Sequence, residues 1–451
     1  MDIRRDSSGC LAVLLLFTHV GVVHAAFFQL AENSPAGLGN AFAGGAAIAE
    51  DASTVWYNPA GLTRLSGRQL VVGGHYIAPS MKFSKTGATT ALGSTITGGD
   101  GGDIGVSAFI PNMYYAHQID HRLTFGIGIN VPFGLATDYE DNWVGRYYAN
   151  RSEIKTVNIN PSLGYRLDDQ WSIGGGLSYQ TIEAEIGNFT DLGSACVASL
   201  GVAACSAISL APQQDDAKIK NAGDDVSYGF NLGLLWQPDG ETRVGLAYRS
   251  AIKHELTGKI SVGTTEPGQV TFAALLGAVN GGGIGADIQV PATLALSAFR
   301  QVDSRWAVMG DITRTNWSGL PELRIKFDSG AADSVITLNL KDVYRYSLGV
   351  AYRTPWGWVY RAGVALDRGA TPNEVDRSPR VPDADRHWLA LGAGYRKSKD
   401  LDFDIAYTYI TMDDGPINKT ATGENTLRGN LRGSYRANIS IVSAQMRWML
   451  R

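Results

Sequence analysis

The sequence predicts an all-β fold, an antiparallel transmembrane β-barrel of about fourteen strands closed by an N-terminal plug of short helices and turns. Short polar turns, such as Pro238-Asp239-Gly240 and Asp303-Ser304, alternate with long loops rich in Gly, Ser, Asn and Asp. Between them lie apolar-polar alternating segments of roughly ten residues or more, long enough to cross a bilayer at a tilt. After the first 25 residues no apolar run is long enough for a membrane helix.

The composition agrees with strands that are apolar on one face only. Charged residues make up 18% of the chain, and it contains 54 Gly, 19 Tyr and 10 Trp. The net charge of −4 and the absence of a basic patch interleaved with aromatic residues exclude nucleic acid as a partner. The composition therefore favours a membrane protein over a set of soluble domains.

Residues 1–25 are interpreted as a secretory signal peptide. Arg4 and Arg5 form a basic start, an apolar core runs over 11–23, and Val23-His24-Ala25 is a small-residue cleavage site. A lipoprotein signal through Cys10 is the alternative, but an apolar stretch should precede a lipidated cysteine, and here it follows. The chain is therefore predicted to be exported.

The two remaining cysteines, Cys196 and Cys205, fall in the predicted loop 188–225. Export to an oxidising compartment predicts a disulfide between them. A metal site would need further Cys or His nearby, and the sequence offers none, so no metal and no cofactor are predicted.

The strands follow in order from Gln69 to the C-terminus. In one of them Trp171, Ile173, Leu177 and Tyr179 share a face, which predicts that lipid lies on that side and a small or polar lining on the other. An even number of strands places both ends at the periplasmic rim, and closure avoids unpaired amides in hydrocarbon. The predicted strands are 69–84, 105–119, 122–133, 154–167, 171–187, 226–237, 242–260, 286–302, 305–315, 342–354, 358–368, 385–398, 401–412 and 434–450.

Residues 26–68 do not alternate and are rich in Gly and Ala, with short motifs such as Gly37-Leu38-Gly39. Such a segment is either a periplasmic tail or a plug inside the lumen, and small residues favour the plug because they pack closely in a confined space. The predicted organisation is a signal peptide over 1–25, a plug over 26–68 and a barrel over 69–451.

Several motifs carry a resemblance to a known family. They occur in that family's order and are Ala26-Phe27-Phe28-Gln29-Leu30, Ser34-Pro35-Ala36-Gly37-Leu38-Gly39, Asn58-Pro59-Ala60, Gly134-Leu135-Ala136-Thr137-Asp138-Tyr139, Lys341-Asp342-Val343-Tyr344-Arg345 and Pro382-Asp383-Ala384-Asp385-Arg386-His387-Trp388-Leu389. The chain resembles the FadL family (OMPP1/FadL/TodX), outer-membrane transporters of long-chain fatty acids with relatives that handle aromatic hydrocarbons. The resemblance implies a fourteen-stranded barrel with an N-terminal hatch.

The resemblance also implies a lateral gate in the barrel wall. It assigns Pro132, Phe133 and Gly134 to a kink in the third strand, and it places Asn58, Pro59 and Ala60 of the hatch against that kinked strand. Pro132 suits a gap because it has no N–H to leave unpaired. The alternative is that Pro132 only ends the strand at its outer rim.

Two groups of residues are candidates for ligand contact. Trp143, Val144, Tyr147 and Tyr148 form an apolar cluster in a loop predicted to face water, which indicates either a capture surface or packing between loops. Within the lumen, Phe27 and Phe28 are expected beneath the ligand. Arg249, Arg345 and Arg361 are predicted to face inward, with Asp367, where they bind a carboxylate or form ion pairs that stabilise the lumen.

The predicted function is uptake of hydrophobic small molecules, first of all long-chain fatty acids, by a monomer surrounded by outer-membrane lipid and lipopolysaccharide. Aromatic or aliphatic hydrocarbons are the alternative cargo, and a general porin is the second alternative. Catalysis is not expected, because no Ser-His pair falls on neighbouring outward positions as a barrel hydrolase would require. A structural adhesin fits the long loops but needs no plug.

Overall fold

The computed structural model describes residues 27–264, 267–275 and 279–450. The predicted signal peptide and Cys10 lie outside the described residues. No helix in these ranges has the length and apolar character to cross a membrane.

The described residues form one continuous antiparallel sheet of twenty segments that closes on itself, because β1 pairs with β20 along its whole length. The segments are β1 Arg68–Thr89, β2 Ala108–Gln118, β3 Leu123–Asn130, β4 Gly134–Asp138, β5 Arg151–Arg166, β6 Trp171–Asp191, β7 Asp216–Trp236, β8 Thr242–Arg249, β9 Ile252–Gly263, β10 Gly283–Val290, β11 Thr293–Gln301, β12 Trp306–Thr315, β13 Glu322–Phe327, β14 Ser334–Thr337, β15 Val343–Arg353, β16 Trp358–Asp367, β17 Arg386–Arg396, β18 Leu401–Met412, β19 Gly415–Lys419 and β20 Asn430–Leu450.

Six of the barrel strands are interrupted and therefore appear as two segments each. The pairs are β3 and β4, β8 and β9, β10 and β11, β12 and β13, β14 and β15, and β18 and β19. Counted by barrel strand, the wall has 14 strands, which confirms the predicted fold and number. Closure gives each strand two neighbours, as a hydrocarbon surrounding demands.

The predicted register is also observed. Leu177 and Tyr228 are 68% and 73% exposed, whereas Ser178 next to Leu177 is buried on the lumen side. Aromatic side chains lie on the outer surface near the short turns, where Trp171 stacks on Trp236 with ring centroids 5.7 Å apart. Exposed aromatics of this kind anchor a barrel at the membrane interface.

Several strands reach further outward than the sequence predicted. β7 begins at Asp216, inside the segment predicted as loop 188–225, and the β13–β14 hairpin and β19 were not predicted. Lys218, Lys220 and Asp224 interrupt any apolar face in the outer part of β7, so the alternation that marks a lipid-facing strand is missing there. These extensions pair above the membrane, where no apolar face is required.

The outer loop that follows β6 carries two helices, α4 Leu192–Leu200 and α5 Val202–Ala207, and a third helix, α6 Pro267–Leu275, follows β9. A disulfide joins Cys196 in α4 to Cys205 in α5, with an S–S distance of 2.07 Å. Both cysteines are buried in one apolar cluster with Phe272 of α6. The three helices therefore form one small layer on the outer side.

Residues 27–67 lie inside the lumen and are here called the hatch. They contain helices α1 Pro35–Leu38, α2 Gly45–Ile48 and α3 Thr54–Tyr57 and the 3₁₀ helix Pro59–Arg64. Ser34 caps α1 by accepting from the Gly37 amide at 3.1 Å, and Asn58 caps the 3₁₀ helix by accepting from the Ala60 amide at 3.0 Å. Each helix is too short to be stable alone, so contacts with the wall must fix the hatch.

Glycines of the wall allow these contacts. A Cβ added to Gly392 would lie 2.8 Å from Gly39 Cα, and one added to Gly363 would lie 2.2 Å from Asn40 backbone atoms. The same holds at Gly245, where the Ala46 carbonyl oxygen would be 1.9 Å away. The high glycine content thus reflects a wall that the hatch backbone touches directly.

Glu50 ties the hatch to the periplasmic end of the wall. Its carboxylate pairs with Arg353 and lies 3.8 Å from Arg361, and its carbonyl accepts from Arg447 at 2.7 Å. Burial alone would raise the pKa of Glu50, but the charges of Arg353 and Arg361 outweigh it, so the pKa lies below the ordinary value. Glu50 is therefore an ionised anchor of the hatch.

Replacing Glu50 with Gln should loosen the hatch without opening the barrel. We expect a loss of about 1–3 kcal/mol of local stability, because the partly buried arginines lose their carboxylate while the pair is one-third exposed. Hydrogen exchange of 27–66 measures the effect. Glu241→Gln, in an exposed pair with Arg300, is the matched control and should change nothing. Equal exchange in both variants would contradict the anchor.

Candidate transport path

The third barrel strand is broken at Val131–Phe133, between β3 and β4. Pairing of β2 with β3 stops at Met113 and Ile129, so Ala108–Asn112 pairs with β1 on one side only. We call this place the wall break, meaning Val131–Phe133 together with the unpaired edge 108–112. Beyond the break, an isolated bridge between Gly105 and Thr137 continues the register in which β2 pairs with β3.

The hatch supplies two backbone hydrogen bonds to the broken third strand. The Leu30 amide donates to the Pro132 carbonyl at 2.8 Å, and the Gly134 amide donates to the Phe28 carbonyl at 2.9 Å. Gln29 lies directly opposite Phe133 as an antiparallel bridge pair. The leading residues of the hatch therefore act as a short extra strand on the lumen side of the break.

A side chain of β5 completes the pairing at Phe133. The Thr156 hydroxyl accepts from the Phe133 amide at 3.0 Å and donates to the Phe133 carbonyl at 2.7 Å. Asn130 of β3 pairs with Asn158, and Gly134 of β4 pairs with Lys155. Between these pairs, the three residues 131–133 lie opposite only two residues of β5, 156–157. This is a β-bulge, a feature that bends a strand and ends its pairing with a neighbour.

Aromatic rings pack the outer side of the wall break. Phe28 lies 4.7 Å from Trp317 and 6.0 Å from Phe133 between ring centroids, and Phe27 lies 5.1 Å from Trp317. The Phe27 amide donates to the buried Asp383 carboxylate at 3.3 Å. The leading phenylalanines thus lie in the apolar upper lumen.

Below these rings a buried amide network joins the hatch to the wall. Asn130 donates from its side chain to Asn33 at 2.7 Å, and Asn158 donates to Asn130 at 3.1 Å. The Tyr114 hydroxyl donates to the Asn33 carbonyl at 2.8 Å. Buried polar groups need such partners, so the position of Asn33 and the shape of the wall break depend on each other.

The turn Asn58-Pro59-Ala60 packs mainly against β6 and β7. The Asn58 side chain donates to the Ala46 carbonyl at 2.7 Å and to the Leu234 carbonyl at 3.0 Å. Pro59 and Ala60 lie against glycines of β6 and β7, at Gly174 and Gly233. The backbone hydrogen bonds to Pro132 and Gly134 come from Leu30 and Phe28 rather than from this turn, whereas Pro59 and Phe133 line one cavity.

Trp143, Val144, Tyr147 and Tyr148 are not an exposed surface. All four are buried, with exposed fractions of 0%, 2%, 2% and 6%. They pack with Phe83, Tyr139 and Tyr435, and Trp143 stacks on Tyr139 with ring centroids 3.8 Å apart. The structure corrects the expectation of a water-facing cluster and agrees with packing between loops.

Exposed apolar side chains instead lie on the outer helix layer. Leu200 and Val202, at the junction of α4 and α5, are 55% and 66% exposed, and Leu275 of α6 is 74% exposed. Ile208 and Val270 add to the same layer. An apolar surface of this kind facing the medium marks a contact site for apolar molecules.

Apolar residues continue from this layer to the wall break. Ile284 and Ile325 pack against the helix cluster and also line a slot of about 50 Å³ in the barrel. The slot is shared with Ile154, Leu256 and Ile288, which belong to the same apolar cluster as Phe28 and Phe133. A second cavity, of about 130 Å³ and lined by Leu30, Phe133, Trp56 and Arg249 among others, adjoins the break above the hatch.

The inward arginines hold the hatch. Arg249 donates to the Trp56 carbonyl at 2.9 Å and its guanidinium lies 3.5 Å from the Trp56 ring centroid. Arg345 donates to the Ala41 carbonyl at 2.7 Å, and Arg361 pairs with Asp404 at 2.7 Å. Asp367 lies 4.0 Å from Arg386. Arg345 keeps a buried Nε without a partner, and Arg249 and Arg345 both line the cavity at the wall break. Within the described residues no cluster of His, Cys, Asp or Glu suited to a metal ion occurs.

Comparison with known proteins decides the family. Residues 17–449 match the model of the outer membrane protein transport protein family (OMPP1/FadL/TodX). The chain belongs to this family. It is 31% identical over 415 residues to a long-chain fatty acid transport protein of Escherichia coli, covering 90% of each chain. It is also 28% identical over 428 residues to outer membrane protein P1 of Haemophilus influenzae, again covering 90% of each chain.

Solved structures of the family share the architecture. A Pseudomonas aeruginosa FadL homologue, 25% identical, matches with a TM-score of 0.87 over 94% of this chain and 100% of its own. The Pseudomonas putida toluene transporter TodX, 18% identical, matches in fold with a TM-score of 0.66 over 93% of this chain and 99% of its own. This chain is accordingly a protein of the bacterial outer membrane.

Sequence reasoning missed four residues around the wall break and the leading end of the hatch. Gln29 and Asp383 lie in motifs quoted for the resemblance, so the motifs signalled them without giving a role. Thr156 looks like any lumen residue of an alternating strand, because only the bulge brings its hydroxyl to Phe133. Glu32 is a single charge in a short segment, and nothing in the sequence indicates that it is fully buried.

Protonation of Glu32 should control the docking of the leading hatch residues. Neither carboxylate oxygen has a hydrogen-bond partner among the described residues, and burial raises the pKa from 4.5 to about 7 despite the nearby charges of Arg345 and Arg386. The docked state holds the proton of Glu32 more tightly than the undocked state. The contribution of protonated Glu32 to the stability of the docked hatch is therefore fully present below pH 4.5 and is lost as the pH rises through about 7. Hydrogen exchange of 27–34 should therefore accelerate between pH 5 and pH 8, after correction for intrinsic rates.

Glu32→Gln is the test of that prediction. The amide keeps the shape and cannot ionise, so the corrected exchange of 27–34 should no longer depend on pH. A pH dependence that persists in this variant would assign the effect to another group.

Proposed function

We propose that the protein takes up hydrophobic small molecules, first of all long-chain fatty acids, and releases them sideways through the wall break. The observation that carries the proposal is the wall break, where the third barrel strand separates from β2. Its residues Pro132 and Gly134 are hydrogen-bonded instead by Leu30 and Phe28 of the hatch. Movement of those few residues would open the lumen toward the membrane while the rest of the barrel stays intact.

Apolar transfer provides the driving force. A methylene group gains roughly 0.8 kcal/mol on leaving water, so a sixteen-carbon chain favours an apolar surrounding by about 10 kcal/mol. A route through the helix layer, the slot at Ile284 and Ile325 and the cluster around Phe133 keeps the chain in such a surrounding. We propose the exposed residues of α4–α6 as the capture surface, in place of the buried Trp143 cluster.

The choice of cargo follows the relatives. Relatives at about 30% identity are named long-chain fatty acid transport proteins, whereas the toluene transporter TodX is 18% identical. The cavity of about 130 Å³ at the wall break is close to one that holds a benzene ring, so a long acyl chain needs the slot and this cavity to join. Fatty acids are the proposed cargo and aromatic or aliphatic hydrocarbons the alternative. Uptake of labelled oleate and of toluene by cells with and without the gene separates the two.

A general porin receives less support. The described hatch fills the lumen with buried residues such as Leu38, Val55 and Leu62, which leaves little room for a water-filled channel. We further propose a monomer surrounded by outer-membrane lipid and lipopolysaccharide, acting without catalysis.

A reversible crosslink tests the wall break directly. Gln29 and Phe133 form a non-hydrogen-bonded antiparallel pair, whose Cα separation of about 4.5 Å suits a disulfide. Gln29→Cys with Phe133→Cys should abolish oleate uptake when oxidised and restore it after reduction. Each single cysteine variant is the control and should transport in both conditions. Full uptake by the crosslinked barrel would exclude exit through this break.

The capture surface is tested separately. Replacing Leu200, Val202 and Leu275 with Ser removes apolar area from the outer layer, so half-saturation for oleate should rise about tenfold while the maximal rate is kept. Leu427→Ser, at another exposed outer position, is the control. An unchanged half-saturation concentration would place capture elsewhere.

A further inference from the structure

A large cavity of the barrel lies on the periplasmic side of the hatch. It has a volume of about 500 Å³, with hatch residues such as Glu50 on one side and Ser66, Thr354 and Gly357 at its periplasmic edge. We call it the periplasmic vestibule. It lies on the opposite side of the hatch from the apolar route, so the proposed transport does not use it.

Arginine dominates the vestibule. Six arginines line it, namely Arg64, Arg243, Arg353, Arg361, Arg396 and Arg447, against four carboxylates, Glu50, Asp51, Asp402 and Asp404. Four of the arginines pair with Glu50, Asp402 or Asp404. Asp51 instead accepts from Ser53 and Gln445. The lining therefore carries two positive charges in excess.

The two excess charges belong to Arg243 and Arg64. Arg243 is only 6% exposed, and its guanidinium lies 3.8 Å from the Phe299 ring centroid. Among the described residues, neither a hydrogen bond nor an ion pair holds its side chain. Arg64 bonds only to the neutral amide of Gln237, and its Nε is buried without a partner. Glu50 is near both arginines but pairs directly with Arg353, and a buried guanidinium without a carboxylate in direct contact is costly.

We propose that the vestibule binds a phosphate dianion between Arg243 and Arg64. Two guanidiniums without an ion-pair partner match the two charges of the phosphate, and their forked N–H groups suit phosphate oxygens. The cavity is open to the periplasm and large enough for the ion and its remaining water. The ligand is either inorganic phosphate or the phosphomonoester head group of a lipid from the inner leaflet, since both present the same group.

Calorimetric titration of the purified full-length barrel in a non-ionic detergent tests the site, with inorganic phosphate as the first probe and acetate as the second. We expect saturable binding of one phosphate, and acetate, with one charge, should bind at least tenfold more weakly. Arg243→Gln and Arg64→Gln should each weaken phosphate binding by about tenfold to a hundredfold. Arg305→Gln, an exposed arginine of a periplasmic turn, is the control and should leave it unchanged.

A third titration with a short-chain phosphatidic acid separates the two sources. Tighter binding than that of inorganic phosphate identifies the lipid head group, and equal binding identifies the free ion. Heat-modifiable migration on gels shows that each variant is folded, and Arg64→Gln serves if Arg243→Gln fails to fold. The absence of saturable phosphate binding, equal affinity for acetate, or full binding by both folded variants would overturn the proposal.

Discussion

Backbone hydrogen bonding at the wall break is the constraint on which the rest of the structure depends. An unpaired amide or carbonyl in hydrocarbon costs several kcal/mol, which is why barrels close. Here β3 and β4 leave β2, and the cost is offset from within, by Phe28, Leu30 and the Thr156 hydroxyl. Pro132 has no backbone N–H, so one fewer hydrogen-bond donor is left unpaired at the break. The hatch is therefore part of the wall's hydrogen-bond system as well as a plug.

The hatch is held in two different ways, and the difference has functional meaning. Its later part rests on wall glycines and on the ionised Glu50, contacts that are numerous and rigid. Its leading part is held by two ladder hydrogen bonds, the bond from Phe27 to Asp383, the amide network at Asn33, a few aromatic contacts and a region around Glu32 whose charge depends on pH. Local opening of a protein begins where contacts are few. The proposed lateral release requires only that these leading residues move while the later part stays.

The barrel and the register of its strands could be predicted from the sequence. The reason is that every strand that crosses the lipid must alternate apolar outward residues with small or polar inward ones. The outward positions of Trp171 and Leu177 followed from that rule alone. It was not sufficient for Trp143, whose partners Phe83 and Tyr435 come from strands far away in the chain. Nor could it place Pro59, since only the folded hatch brings that turn to the glycines of β6 and β7. Period and composition predict elements, whereas loop packing and hatch docking depend on contacts between distant residues.

The two sides of the hatch differ in a way that bears on the exit route. Above it, the lumen around Phe28, Ile288 and Trp317 is apolar. Below it, the vestibule is lined with arginines and carboxylates. A hydrocarbon chain that moved downward would lose roughly 0.8 kcal/mol for each methylene brought into that hydrated, charged space. Moving sideways past Leu30 and Val131, it meets apolar side chains and then lipid, so its free energy stays low throughout. The polarity of the vestibule therefore makes the lateral path the favourable one.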